Sequence, residues 1–418
     1  MKTIERKNYL DQLISGRGNG LIKIITGIRR CGKSFLLFNI FYDYLLSEGV
    51  RDDHIIKIAL DDLLNEEYRD PRTLLLYIRG CIRDRSVYYI LLDEVQMVKD
   101  FTGMLNSLLH IDNAEVYVTG SNSRFLSSDI ATEFRGRGDE IRIYPLSFAE
   151  YLSAYDGDKL DAWRDYCMYG GLPLTMNIGT RQKKCSYLSN LYNSVYKKDI
   201  VERNAIKKEA EFDTLAKVMA SSIGAPCNPT RLSNTFASVE HTEIRPETIG
   251  AYLSHMQDAF LLERAQRFDI KGKRYIGTLS KYYFTDVGLR NALLDFRQQE
   301  ESHLMENIIY NELRMRGYLV DVGHVELRSY SKSKGTVRRQ LEVDFVANNG
   351  SRRYYIQSAL SIPDSEKMAQ ETASLMHISD NFKKVVVVKD NIVPWHNEDG
   401  ILIISLFDFL LKPDCLEL

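Results

Sequence analysis

The sequence predicts an α/β protein whose first part is a parallel sheet with helices on both faces. Three observations carry this. Residues 21–150 alternate short β-rich runs with longer amphipathic stretches, the pattern of a helix-covered parallel sheet. The first run leads straight into a glycine-bounded turn, "TGIRRCGKS", and then into an apolar helix, "FLLFNIFYDYLL". After a helical middle, the chain returns to strands near its end. With 418 residues it exceeds one ordinary core, so about two to four domains are expected.

In chain order, the strand candidates are "LIKIIT" (21–26), "HIIKIAL" (54–60), "YYILLDE" (88–94), "EVYVTG" (115–120) and "EIRIYPL" (140–146). Helical patterns, including 34–47 and 71–84, separate most of them. Residues 147–205 read as helical, interrupted by "YGGLP" at 169–173. Residues 210–290 read as three short helices and two strands around "DIKGKR". A strong helix, "SHLMENIIYNELRMRGY", precedes the strands "LEVDFVA", "RYYIQSA", "KKVVVVKD" and "GILIISL". Boundaries fall near 150, 208 and 298.

Lys+Arg number 55 against 57 Asp+Glu, a net charge of -2, so a nucleic-acid partner would be held by local basic patches. The six cysteines form no C-x-x-C pair and read as reduced thiols. The N-terminal "MKTIERKNYLDQLI" lacks a signal-peptide core, and no run reaches the ~18 apolar residues of a membrane span. A cytoplasmic location without a membrane partner is expected.

Gly27 and Gly32-Lys33-Ser34 bracket four residues between a strand and a helix, the context of a phosphate-binding loop. Glycines there let backbone N–H groups turn inward around phosphate oxygens. The expected ATP-binding stretch is Gly27, Ile28, Arg29, Arg30, Cys31, Gly32, Lys33, Ser34 and Phe35. Lys33 would neutralise the β- and γ-phosphates, and Ser34 would bind Mg²⁺. Arg29 and Arg30 would meet phosphates or acidic neighbours.

Hydrolysis needs a second element, and "YYILLDE" supplies it. Asp93 is placed to hold Mg²⁺, and Glu94 to orient and deprotonate the attacking water. Gln96 would help position that water or stand at the surface. The strand ending "VTGSNS" puts Ser121 and Asn122 beside this pair, where either can sense the γ-phosphate. Arg135 and Arg137 precede the fifth strand, far from their own phosphates but able to reach a neighbour's. Arg137 is the preferred arginine finger, which implies a homo-oligomer.

Together, "TGIRRCGKS", "LLDEVQ", "VTGSNS", "RGR" and "YPLSFAEYL" resemble the AAA-type ATPases common in bacteria and archaea, in which a small ATPase is fused to a C-terminal region. "YGGLP", "KYYFTDVGLRN", "ENIIYNELRMRGY" and "EVDFVA" extend the resemblance over nearly the whole chain. It implies an ATPase core (1–150), a helical lid (151–208), a winged-helix segment (209–297) and a restriction-endonuclease-like α/β domain (298–418).

The middle suits a winged helix: one helix ends near Gly224, a second starts near Thr230, and a third starts at Pro246 with Thr248 and Ser254 outward. The strands around Gly272 would form the wing, carrying Arg264, Arg267, Lys271, Lys273, Arg274 and Lys281 as candidate contacts to duplex or branched DNA. Packing against the ATPase core is the alternative, and the aromatics of "KYYFTDVGLRN" would fill a core.

A PD-(D/E)XK nuclease needs an acid on the leading helix, an acid on the next strand, and an acid plus a lysine on the following strand. Glu306 and Asp344 fit the first two positions, and Glu342 shares a strand face with Asp344. The third holds Gln357 and Ala359, so the site reads as vestigial. A migrated lysine or arginine would come from Lys332, Lys334, Arg338 or Arg339 in the preceding loop. The expectation is a Mg²⁺-dependent ATPase coupled to a DNA-binding C-terminal region. The alternatives are a nucleotide-controlled switch for a protein partner and an ATP-dependent nuclease.

Overall fold

All five expected runs of the first part form strands: β1 (Ile22–Gly27), β2 (Ile55–Ala59), β3 (Tyr88–Asp93), β4 (Ala114–Thr119) and β5 (Gly138–Ile143). Every pairing is parallel, in the order β2-β3-β4-β1-β5. β1 and β3 are buried at every position, as strands covered on both faces must be. On one face, Ile24, Ile58, Ile90 and Val118 pack with Leu74, Ile78, Met104 and Leu105 of the helices Pro71–Cys81 and Phe101–Leu108. On the other, Tyr117 meets Phe41 with ring centroids 4.5 Å apart. The computed structural model describes residues 4–120, 136–239, 242–331 and 335–418.

The chain divides into two units. The first is Met1–Pro145 with Leu172–Leu174 and Asp258–Phe260; the second holds the remainder to Leu418. Helix starts in both follow local chemistry. Pro71 opens its helix behind Asp70, whose side chain accepts from the Thr73 N–H. Ser147 and Glu150 form a reciprocal capping box at Phe148–Ala154.

In the second unit, helices Glu209–Ser221, Pro229–Val239 and Pro246–Asp258 precede an antiparallel hairpin of β6 (Leu262–Asp269) and β7 (Arg274–Phe284). Tyr282, Tyr283 and Phe284 are buried, so these aromatics fill a core. After helix Glu301–Met315 come β8 (Leu319–Ser331), β9 (Gly335–Asn349), β10 (Arg352–Ala359), β11 (Lys383–Val388), β12 (Trp395–His396) and β13 (Leu402–Ser405). The sheet order is β12-β13-β11-β10-β9-β8-β6-β7.

Two features depart from expectation. The residues before "LEVDFVA" are not a loop. β8 and β9 pair antiparallel from Leu319↔Asn348 to Ser331↔Gly335, with Arg338 and Arg339 inside β9. The free edge of β6 also pairs in parallel with β8, Arg267↔Val322 to Asp269↔His324, so one sheet runs across residue 298. Among the described residues, no helix is long and apolar enough to cross a membrane.

Candidate functional site

The loop after β1 has a backbone that side chains would obstruct. Gly27 has φ 141°, and a Cβ there would lie 2.1 Å from the Ile143 carbonyl oxygen. Gly32 has φ 101° and Arg30 φ 66°. Ile28 and Cys31 are fully buried and anchor the loop, while Arg30, Ser34 and Phe35 are exposed and Arg29 is half-buried. Lys33 is buried, and its Nζ donates to the carbonyls of Gly27 (3.0 Å) and Ile28 (3.1 Å). This curls the ammonium around the inside of the turn.

Asp93 ends β3 and is 5 % exposed. Burial pushes its carboxyl above the ordinary range, while hydrogen bonds from Thr119 and Ser34 pull it back. The Thr119 hydroxyl donates to Asp93 Oδ1 and accepts from the Glu94 N–H at 3.0 Å. One hydroxyl on β4 therefore holds the Asp93 carboxyl and the Glu94 backbone at the carboxyl end of β3. Glu94 adopts φ 53°, and Gln96 Nε2 donates to its Oε2. Thr119 was not singled out in the sequence; its signal is a hydroxyl at the carboxyl end of the strand beside the acid pair.

Ser121, Asn122 and Arg135 lie outside the described residues. Arg137 is exposed, with its Nη1 donating to Asn106 Oδ1 at 2.8 Å. Its carbonyl accepts from Ile22 N, so it stands at the start of β1 and β5, at the end of the sheet opposite Gly27.

The strand order, the glycine-bounded lysine loop after β1 and the acids after β3 define an AAA-type P-loop domain, and the family described as "AAA domain" matches residues 19–152. A domain of unknown function (DUF8612) matches residues 160–300. The chain belongs to the same family as an uncharacterized protein of Haemophilus influenzae, 33% identical over 415 residues, which are 98% of this chain and 99% of that one. An uncharacterized protein of Methanocaldococcus jannaschii is 28% identical over 375 residues, 86% of this chain and 79% of its own length. Among solved structures, the Aeropyrum pernix Orc1 protein in complex with DNA aligns over 69% of this chain and 91% of its own, with TM-score 0.28 and 13% identity.

A second cluster of charged groups lies in the other unit. Lys281, expected on the wing facing phosphates, is 4 % exposed and points into the fold. Its Nζ lies 2.9 Å from Glu306 Oε1, 2.8 Å from Glu342 Oε1 and 3.8 Å from Asp344 Oδ1. The physical reason is placement: Lys281 sits on β7 among residues whose side chains the helix Glu301–Met315 covers, so its ammonium is stable only beside carboxylates. Tyr283 OH also donates to Glu306 Oε1 at 2.7 Å. Asp344 Oδ2 accepts from Ser358 N at 2.9 Å, and Asp344 N donates to Gln357 Oε1 at 3.4 Å.

The structure thus brings Glu306, Glu342, Asp344 and Gln357 together, with the lysine expected on the wing in place of one from the preceding loop. Ala359 is buried in the core, Lys332 and Lys334 lie outside the described residues, and Arg339 is an exposed strand residue. Burial and then Glu306 push the Asp344 carboxyl up to about 7, against the opposing pull of Lys281 and the Ser358 N–H. For Lys281, burial favours the neutral amine, but Glu306, Asp344 and Glu342 together outweigh it and raise its pKa. Among the described residues, no group of His, Cys, Asp and Glu is arranged to hold a metal ion.

On the hairpin, Arg264 Nε donates to Ser280 Oγ (2.8 Å) and Arg267 Nη2 to Gln340 Oε1 (2.9 Å). Lys271, Lys273 and Arg274 cluster at the exposed tip, where Arg274 faces Asp269 at 3.7 Å.

Proposed function

We propose that this protein is a Mg²⁺-dependent ATPase whose nucleotide state controls a DNA-binding C-terminal region. The carrying observation is the Thr119 hydroxyl, which holds Asp93 and the Glu94 backbone beside the Gly27–Ser34 loop. The backbone N–H groups of that loop would surround the phosphates, and Lys33 would turn from its carbonyls to the β- and γ-phosphates. Ser34 and Asp93, already hydrogen-bonded to each other, would share the cation. When bound, Mg²⁺ supplies the charge that neutralises the triphosphate. Glu94 would take the proton of the attacking water, with Gln96 steering its carboxylate. Ser121 or Asn122 would sense the γ-phosphate, and Arg137 would complete the site of a neighbouring copy in a homo-oligomer.

The DNA reading is supported by three helices followed by a hairpin whose tip exposes Lys271, Lys273 and Arg274. We read the Glu306–Glu342–Asp344 cluster as structural, because Lys281 answers its charge from inside the fold. The test is the ATPase rate with and without duplex, single-stranded and branched DNA, using Lys33→Ala and Glu94→Gln as controls. DNA-stimulated turnover that both variants abolish is expected. Turnover indifferent to every DNA would remove the coupling.

A further inference from the structure

A pocket of about 270 Å³ opens on the second unit where helix Pro229–Val239, β6, β7, β8 and β9 converge. Two of its groups are cations without a salt-bridge partner, and a third, His324, is a buried ring that Asp269 and Glu326 act on from outside the pocket wall. Arg231 and Arg267 make no salt bridge among the described residues; their hydrogen bonds go to the Pro226 carbonyl (3.3 Å) and to Gln340 Oε1 (2.9 Å). His324 is 5 % exposed, with the Gln340 side chain beside its ring but no partner within bonding geometry of either ring nitrogen among the described residues. Such a buried polar group is costly unless something fills its valence. Burial, and next the nearby Arg267, hold its imidazole below the ordinary value, so near neutrality the ring offers one donor and one acceptor.

The one carboxylate on the wall, Glu342, has its Oε1 paired with Lys281 at 2.8 Å, which leaves the guanidinium charges uncancelled. Two unpaired guanidinium groups match a dianion, and their planar donors suit phosphate oxygens. Pro226, Leu279 and Val322 add apolar wall. The volume falls just under the range of about 300–1,000 Å³ typical of small-molecule sites, more than a bare phosphate needs.

We propose that this pocket binds a phosphomonoester on a nucleotide-sized body, free or at the end of a nucleic-acid strand. Arg231 and Arg267 take the phosphate oxygens beside the buried ring of His324. Arg267 is also one of the hairpin residues expected from the sequence to contact DNA, while Arg231 and His324 belong to the pocket alone.

The test uses the full chain carrying Lys33→Ala, so that the glycine loop does not compete. Thymidine 5′-monophosphate, thymidine and inorganic phosphate are titrated calorimetrically, followed by a single-stranded oligonucleotide with a 5′-phosphate or a 5′-hydroxyl. The monophosphate is expected to bind at least about tenfold tighter than thymidine, and Arg231→Ala to remove about tenfold or more of that affinity. A 5′-phosphorylated strand that outbinds the monophosphate supports the proposal with a strand end as the source; the reverse order supports it with a free nucleotide. Arg231 is exposed, so its alanine variant keeps the fold, which a circular-dichroism melt verifies. Equal affinity for thymidine and its monophosphate, or unchanged affinity in folded Arg231→Ala, overturns the proposal. The free-nucleotide titration contains no duplex, so its failure is separate from failure of the DNA reading.

Discussion

The ammonium of Lys281 lies 2.9 Å from Oε1 of Glu306 and so ties β7 to the helix Glu301–Met315. The same nitrogen reaches Glu342 and Asp344 on β9. Removing it leaves Glu306 and Asp344 buried without their cation, with the exposed Glu342 beside them. Lys281→Met is therefore expected to destabilise the second unit by about 3–5 kcal/mol. Both tryptophans, Trp163 and Trp395, lie in that unit, so the midpoint of urea unfolding followed by their fluorescence reads the effect. Adding Glu306→Gln should recover part of the loss; a double variant no more stable than Lys281→Met would mean the pair is not coupled.

Asp344 sets a pH dependence with a definite sign. Its carboxyl is pushed from the ordinary 3.8 up to about 7, so between these values the folded state holds a proton that the unfolded state has released. Its contribution to stability is full below about 3.8 and is lost as pH rises through about 7. Tryptophan-monitored unfolding of the wild type should weaken between pH 5 and pH 8, and Asp344→Asn should flatten that part of the profile. An equally steep profile in the variant would assign the effect to another group.

Much of this site was visible in the sequence, and the missing part was missing for a physical reason. The alternation of apolar runs located all five strands of the first sheet, because strands covered on both faces read as continuous apolar stretches. The glycine loop and the acids at 93 and 94 are local signals, each made by neighbours in the chain. Thr119 and Lys281 act across strands and gain meaning only from pairing. β3 must lie beside β4 before a threonine can hold Asp93, and β7 must lie under a helix before a lysine can answer Glu306. β8 is not legible in the sequence because its polar alternation, "LVDVGHVELRSYS", resembles a charged loop until β9 pairs with it.

Thr119→Val keeps the shape of β4 and deletes the hydroxyl that holds Asp93 and the Glu94 N–H. Of the two, the bond to the Asp93 carboxyl is the one to a charged group, worth about 1.5–3 kcal/mol, so its loss should lower turnover by about 10–100-fold. Steady-state phosphate release measures it, with Thr119→Ser expected to restore most of the rate. A serine variant as slow as the valine variant would place the effect in packing instead.

The hairpin tip makes a salt-dependent prediction. Replacing Lys271, Lys273 and Arg274 with alanine should reduce the slope of log affinity against log salt for duplex DNA by about 2–3. Fluorescence anisotropy across a salt series gives that slope. A parallel shift at constant slope would mean these side chains release no counterions.

The central claim is that the loop and the two acids after β3 form one hydrolytic site. Glu94→Gln tests it most directly, because it keeps the size and hydrogen-bonding reach of Glu94 and removes only the base. Nucleotide affinity, measured by equilibrium titration, should stay near wild type, while single-turnover hydrolysis falls by at least about 100-fold. A Glu94→Gln protein that hydrolyses ATP at the wild-type rate would contradict the account.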